Sequence, residues 1–441
     1  MQTIPGFILG IFRDSQRDAL QMFWTTTYMS SSHHGPNISS PVCLLPVTAA
    51  MHHSEADSSL LIYMGAVVLY GGTILYRAKK NCVEKAKPFS WGLLLLLASG
   101  VLCFATLRSY LGLSFFSLIC FLFCIYTSDQ ALLPVDRKAV LITGSDSGIG
   151  HALAKYLDRL GFTVFATVLN EKGPGAEKLR QSCSGRLFVL QLDITNSAQI
   201  KEVYLEVRKK LQGGDLWGVI NNAGVLGLMG DGELLPMHSY KQCMDVNFFG
   251  PVELSKAFLP LLRKSKGRLI NISSMAGGIP MPGLAAYGSS KAALSMFSGV
   301  MRQELSKWGI KVSVLHPSGF KTCIQGTPEV WNKEERTLLE NLMPDVKQDY
   351  GEEYILKLKM ALNAMPLACG SDLSPVLCDV LHALLAEHPC GLYTPGKSAY
   401  IFLLIFCYSP LWFYDFFMRK IFSTSDMPSA LRAAEKENKN L

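Results

Sequence analysis

The sequence predicts an α/β protein: a doubly wound parallel sheet preceded by N-terminal transmembrane helices. Three observations carry that expectation. Short β-rich runs, the first of them apolar from Ala139 to Ile142, alternate with helix-like periodic segments between residues 134 and 396, the pattern of parallel strands covered on both faces. A glycine-rich turn, Gly144-Ser-Asp-Ser-Gly148-Ile-Gly150, lies between the first of those runs and a periodic helix. Almost everything from Ser59 to Tyr126 is apolar, apart from one basic loop.

Residues 1–58 read as a polar, disordered extension rich in Ser, His and Thr, and Asn37-Ile-Ser is a glycosylation acceptor pattern that matters only on a luminal segment. Residues 59–130 read as the anchor region. Ser59–Tyr76 is long enough to cross a hydrocarbon core of ~30 Å and ends in Arg77-Ala-Lys-Lys. Trp91–Leu107 and Ser109–Tyr126 are split only by Arg108. Two short helices would leave that charge at an interface, whereas one continuous helix would carry it into lipid at a cost of several kcal/mol. The cations Arg77, Lys79, Lys80, Lys85 and Lys87 place their loop in the cytosol. Two further crossings would return the chain there before Leu132; a single crossing would leave it in the lumen. The cytosolic arrangement is the expected one.

The formal net charge of +7 is concentrated beside apolar runs and in the tail Lys436-Glu-Asn-Lys-Asn, which suits membrane flanks and not nucleic acid. The twelve cysteines form no CxxC pair and no His cluster has metal-ligand spacing, so a reduced domain without a metal is expected.

The catalytic domain is expected over residues 134–396. Its strands are read at Lys138–Thr143, Phe162–Val168, Leu187–Gln191, Leu216–Asn221, Arg268–Ile272 and Lys311–Leu315, with a helix at His151–Leu160 after the glycine turn. Glycines at 144, 148 and 150 permit the tight turn, let backbone approach a pyrophosphate, and let helix pack on strand. Thr143, Ser147 and Ile149 belong to the same phosphate-facing turn, where free helix amides favour an anion.

Tyr287 and Lys291 stand one helical turn apart, thirteen residues after Ser274. A phenol holds its proton to about pH 10, so it is a poor base at neutral pH. An ammonium group at i+4 shares its helical face and favours the phenolate. A drop of roughly 2–3 pKa units requires about 3–4 kcal/mol, which one cation plus a nicotinamide would supply. The arrangement suits proton removal from an alcohol.

The spacing Thr143-Gly144-xxx-Gly148-x-Gly150, Asp193 in Leu-Asp-Ile, Asn221-Asn-Ala223-Gly224, Asn247 in Val-Asn-Phe-Phe, and Ser274/Tyr287/Lys291 together resemble the short-chain dehydrogenase/reductase family, with its Rossmann-type sheet, over roughly Pro134–Gly396. The resemblance implies that Asp193 meets the adenine and that Asn221, Ala223 and Gly224 close the sheet beside the dinucleotide. Pro317 and Thr322 would contact the nicotinamide, although Ser318 replaces the usual glycine. Tyr287 would be the general base, Ser274 would hold the developing carbonyl oxygen, and Lys291 would hold the nicotinamide ribose. Asn247 would pass protons to solvent through ordered water. Each also has an ordinary explanation: Ser274 a strand-end cap, Lys291 a solvated helix residue, Asn247 a turn bond. Many members of the family dimerise through the helices bearing Asn247 and Tyr287, so a homodimer is implied.

The second strand ends in Ala166-Thr-Val-Leu-Asn170-Glu171. Asn170 and Glu171 offer no cation for a 2′-phosphate, which favours NAD, although Lys172 follows. The stretches beginning at Phe162, Tyr240, Leu261 and Tyr393 resemble the membrane-bound 17β-hydroxysteroid dehydrogenases of the family. That resemblance implies an endoplasmic-reticulum enzyme that oxidises estradiol and testosterone with NAD, and a 20α-hydroxysteroid as well. The 11β-hydroxysteroid and retinol dehydrogenases share much of the pattern. The segment Gln325–Gly370, with Met343, Met360 and Met365, supplies either adaptable apolar walls or plain core. Residues 397–441 read as an aromatic membrane-associated or lid segment and a polar tail. Pro410 and Asp415 make a spanning helix awkward within Ala399–Met418, and a buried core helix is the ordinary alternative. Asn271-Ile-Ser is a coincidental glycosylation pattern, because a sugar there would be buried in the sheet.

Overall fold

Strand β1 (Ala139–Ile142) has all four side chains buried, and alternation divides them between two cores. Ala139 and Leu141 join the apolar cluster on one face of the sheet, Val140 and Ile142 that on the other. A strand covered on both faces favours apolar residues on both sides, which is why β1 shows no polar alternation. The same division recurs in β2 (Thr163–Val168), where Phe165 points one way and Val164, Ala166 and Val168 the other.

The computed structural model describes residues 65, 114–119, 132–211, 214–322, 324, 338–340, 342–354, 356, 369–396, 399–422 and 427–440. The chain divides into two units, Met1–Asp129 and Gln130–Leu441. In the first, residues 65 and 114–119 are described, and both are helical. The polar extension and nearly all of the expected anchor therefore lie outside the described residues. Among the described residues, no helix is long and apolar enough to cross a membrane.

The second unit holds a parallel sheet completed by β3 (Leu187–Gln191), β4 (Leu216–Asn221), β5 (Arg268–Ile272), β6 (Lys311–Leu315) and β7 (Leu392–Tyr393). The spatial order is β3-β2-β1-β4-β5-β6-β7. In register, Val140 sits opposite Val164 and Gly218, and Ile142 opposite Ala166 and Ile220. The order reverses between β1 and β4, so their carboxyl ends open a crevice at the topological switch point. The helices are α1 (Gly148–Arg159), α2 (Pro174–Ser182), α3 (Ser197–Lys210), α4 (Met237–Met244), α5 (Gly250–Ser265) and α6 (Ala285–Glu304). They are followed by α7 (Pro344–Tyr350), α8 (Ser374–Leu385), α9 (Ala399–Tyr408), α10 (Leu411–Phe422) and α11 (Ser429–Asn440).

Helices α1 and α8 cover one face through Leu153, Leu157, Val376, Val380 and Leu384. Helices α3 and α5 cover the other through Ile200, Val203, Val207, Leu254, Phe258 and Leu262. Helices α4 and α5 are joined by a π-helical segment, Asp245–Phe249. Pro251 supplies the cause: it has no N–H, so the α-helical bond from residue 251 to the Asn247 carbonyl cannot form. Strand β7 has two residues and takes its conformation from pairing with β6, Val314 opposite Leu392. The aromatic run after residue 398 forms two helices divided at Ser409-Pro410 instead of one.

Candidate active site

A cavity of about 1160 Å³ opens at the carboxyl ends of the strands. Its floor is the turn after β1. Gly144 has φ +67°, and a Cβ there would stand 2.8 Å from Ala223 Cα. Gly150 lies behind the cavity wall, where a Cβ would stand 2.2 Å from Gly144 O and 2.5 Å from Asn222 Nδ2. Hydrogen bonds fix the turn to the end of β4. Thr143 Oγ1 accepts from Asn222 N at 2.9 Å and Ala223 N at 3.0 Å. Asn222 Nδ2 donates back to Thr143 O at 2.9 Å and Gly144 O at 3.1 Å. Ser147 precedes α1 without a side-chain cap bond, which leaves the helix's first amides available to an anion. Thr143, Gly144, Ser147, Gly148 and Ile149 line the cavity, as do Asp193, Ala223, Gly224, Pro317 and Thr322. This bare, amide-rich cradle fits a dinucleotide pyrophosphate.

Besides Gly150, two residues expected at the cofactor do not line the cavity. Asn170 Oδ1 accepts from Lys172 N at 3.0 Å, closing a local turn. Asn221 is buried in the sheet, where its Nδ2 donates to Ser255 Oγ at 2.9 Å and Asn271 Oδ1 at 2.7 Å. The side chain that reaches the β1 turn is its neighbour Asn222, because successive strand residues point to opposite sides. Asn271 is itself fully buried and donates to Ser298 Oγ at 2.7 Å, so its glycosylation pattern is coincidental.

Ser274, Tyr287 and Lys291 line the same cavity. Ser274 starts a short 3-10 turn and accepts from Ala276 N at 3.2 Å; its hydroxyl also favours the ionised form of the Tyr287 phenol. Lys291 is buried, and its Nζ donates to Ile272 O at 3.0 Å and lies 5.9 Å from the centre of the Tyr287 ring. Gly224 makes room for this group, since a Cβ there would stand 3.2 Å from Lys291 Nζ. The glycine cradle and the Ser-Tyr-Lys group thus share one cavity.

A family model described as short chain dehydrogenase matches residues 138–333. The chain is 54% identical over 369 residues to 17-beta-hydroxysteroid dehydrogenase type 2 of Homo sapiens, covering 83% of this chain and 94% of that protein. This chain belongs to the short-chain dehydrogenase family. It is 48% identical to estradiol 17-beta-dehydrogenase 2 of Rattus norvegicus, over 87% of this chain and 100% of that one. It is 42% identical to 11-beta-hydroxysteroid dehydrogenase type 2 of Homo sapiens, over 69% and 75% respectively. The fold matches a short-chain dehydrogenase from Streptomyces avermitilis with a TM-score of 0.51 at 24% identity, covering 66% of this chain and 98% of that chain.

Burial dominates the electrostatics of Tyr287 and Lys291 in this dehydrogenase. Burial pushes the Tyr287 phenol up to about 12, and the Ser274 hydrogen bond offsets only part of that. Burial also lowers Lys291 to about 8. Desolvation is the largest cause of both shifts, upward for the phenol and downward for the ammonium.

Asn247 Oδ1 accepts from Val225 N at 2.9 Å, and its Nδ2 donates to Val225 O and to Ser290 Oγ, each at 2.9 Å. The side chain clamps the loop after β4 against α6.

Several contributors escaped the sequence reading. Asp146 lines the cavity and accepts the Leu169 amide with both carboxylate oxygens, each at 3.0 Å, at the end of β2. Ser290 donates to Tyr287 O at 2.7 Å. His316 Nε2 bonds Ser295 Oγ at 2.9 Å, and Ser295 and Ser273 both donate to Lys291 O at 2.8 Å. Their partners lie on other elements or on the backbone, which residue spacing does not reveal. Ser318, where glycine was expected, is accommodated by Gly396, whose Cβ would stand 1.9 Å from Ser318 Oγ. Met343 is exposed, so it walls nothing; Met360 and Met365 lie outside the described residues. The cavity's methionines are Met229, Met275 and Met281.

Proposed function

We propose that this dehydrogenase oxidises the 17β-hydroxyl of steroids such as estradiol and testosterone, with NAD as the acceptor. The observation that carries the reading is the shared cavity in which Ser274, Tyr287 and Lys291 face a dinucleotide cradle on one side and Met229, Met275, Met281 and Phe402 on the other. Methionine and aromatic walls suit a flat lipophilic alcohol. The high identity to the two 17β-dehydrogenases over nearly their whole lengths supports that substrate class.

The dinucleotide, when bound, supplies the two-electron acceptor. Ser274 orients the carbinol oxygen, and Tyr287 takes its proton. Lys291 contributes positive charge beside the phenol while it remains protonated. Asp146 supports NAD over NADP, because its carboxylate at the end of β2 would repel a 2′-phosphate. The upward push of burial on the phenol gives the pH dependence its sign: alcohol oxidation rises as pH rises above 7, toward the value at which Tyr287 releases its proton. Membranes containing the full chain, assayed with estradiol, an 11β-hydroxysteroid and retinol against NAD and NADP, test the assignment. Higher kcat/KM for the 11β-hydroxysteroid or for retinol would reject it. Asp146→Ala is expected to improve kcat/KM with NADP by about tenfold, equivalent to ~1.4 kcal/mol.

The same proposal places the protein in the endoplasmic-reticulum membrane, with its catalytic domain in the cytosol, and as a homodimer. Exposed Phe249 beside α5, and Met296 and Val300 on α6, support the dimer; sedimentation of a monomer at micromolar concentration would refute it. Protection of residues 132–396 from protease added to intact microsomes would refute the topology.

A further inference from the structure

Helix α9 is apolar on two sides, and so is α10 apart from Asp415 and its basic last turn. Their inner sides interlock: Phe402 packs on Phe417 at 5.7 Å between ring centroids, and Phe406 on Tyr414 at 4.9 Å. Tyr414 and Met418 seat the pair on Ile279, and Tyr414 Oη donates to Pro280 O at 2.6 Å. The outer sides carry Tyr400, Ile401, Leu404 and Tyr408 on α9, and Trp412, Phe413 and Phe416 on α10, all exposed. Tyr408 is 84% exposed and Trp412 70%. Helix α9 contains no charged residue. A helix that is apolar all round and still bare on one side lacks its natural surroundings.

The hairpin also adjoins the active-site cavity. Phe402 lines that cavity. A second hollow, of about 550 Å³, lies between α10 and the loop Pro280-Met281-Pro282. Met281 lines both hollows and so forms their common wall. Exposed Asp415 interrupts the apolar side of α10, and Arg419 and Lys420, both exposed, stand in its last turn. Tyrosine and tryptophan beside an apolar stripe, with cations at one end, match the depth profile of a bilayer's headgroup boundary. Helices of 10 and 12 residues are too short to span a bilayer but suited to lie in its surface.

We propose that the outer face of α9–α10 lies in an anionic lipid surface and that substrate enters the cavity from the bilayer past Met281. The entry route rests on the reading of the substrate as a lipophilic alcohol; the lipid contact does not. Methionine suits such a partition, because its unbranched thioether changes rotamer at little cost.

The test uses the full chain in vesicles of phosphatidylcholine and phosphatidylserine containing brominated acyl chains. Quenching of tryptophan fluorescence is expected, and Trp412→Phe should remove a quenched component. If that substitution leaves the quenching unchanged, or if Tyr408→Cys cross-links to a second copy, the face belongs to protein and the proposal fails. The double variant Trp412→Glu, Phe416→Glu should raise KM for vesicle-borne steroid about tenfold, with kcat and dinucleotide Kd unchanged. A fall in kcat at constant KM, or no change in either, would overturn the entry route. Quenching of Trp412 in a protein that oxidises no steroid would sink the substrate reading and leave the lipid contact standing.

Discussion

On the side of β1 and β4, the cavity wall is tied by hydrogen bonds from Thr143, Asn222, Asn247 and Ser290, with glycines where any Cβ would collide. Around Met229, Met275, Met281 and Phe402, the wall consists of flexible side chains in apolar contact. The difference follows from what each side must hold. A charged dinucleotide needs fixed amide dipoles, which cannot move without losing their alignment. A lipophilic substrate needs excluded water and a fitting shape, which several packings can supply.

Four substitutions would break or sharpen that contrast. Tyr287→Phe should lower kcat by about a thousandfold while dinucleotide affinity is retained, measured by steady-state turnover and by titration. Equal loss of both would make Tyr287 a packing residue of the rigid wall. Gly150→Ala should cost about 3 kcal/mol or more and abolish dinucleotide binding, because its Cβ would overlap the Gly144 carbonyl. Unfolding that matches the wild type would show that this wall yields after all.

His316 tests the polar network behind Lys291. Burial lowers it to about 4, from an ordinary value near 6.5. Between those values the unfolded chain binds a proton that the native protein does not. Stability should therefore fall as pH drops from 6.5 to 4, by up to roughly 3 kcal/mol. His316→Gln should flatten that part of the pH profile of thermal unfolding, and an unaltered profile would assign the acid sensitivity elsewhere. The smallest effect is expected on the apolar side. Met229→Leu should cost less than about 1.5 kcal/mol and leave kcat unchanged. A large loss there would mean that both walls are equally rigid.

The strand runs were legible because a parallel strand covered on both faces is predominantly apolar, with buried polar residues such as Asn271 and Ser313 hydrogen-bonded. Leu187–Gln191, Leu216–Asn221, Arg268–Ile272 and Lys311–Leu315 appear in the structure with the ends read from sequence. The two-residue β7 was not legible, since pairing with β6 and not local preference makes it a strand. Ser274, Tyr287 and Lys291 could be found by spacing, because i+4 on a helix fixes a shared face. Asp146 and His316 could not, because their partners lie on other elements, 23 and 21 residues away in the chain.

By itself, then, the sequence determined the glycine turn, the strand alternation and the tyrosine–lysine face, since each is a local geometric constraint. Tertiary structure alone decided that Asn222 and not Asn221 meets the β1 turn, and that burial pushes the Tyr287 phenol upward. It also decided that α9 and α10 leave one apolar side bare. Desolvation and cross-element contact depend on what the fold brings near, and no spacing along the chain encodes that.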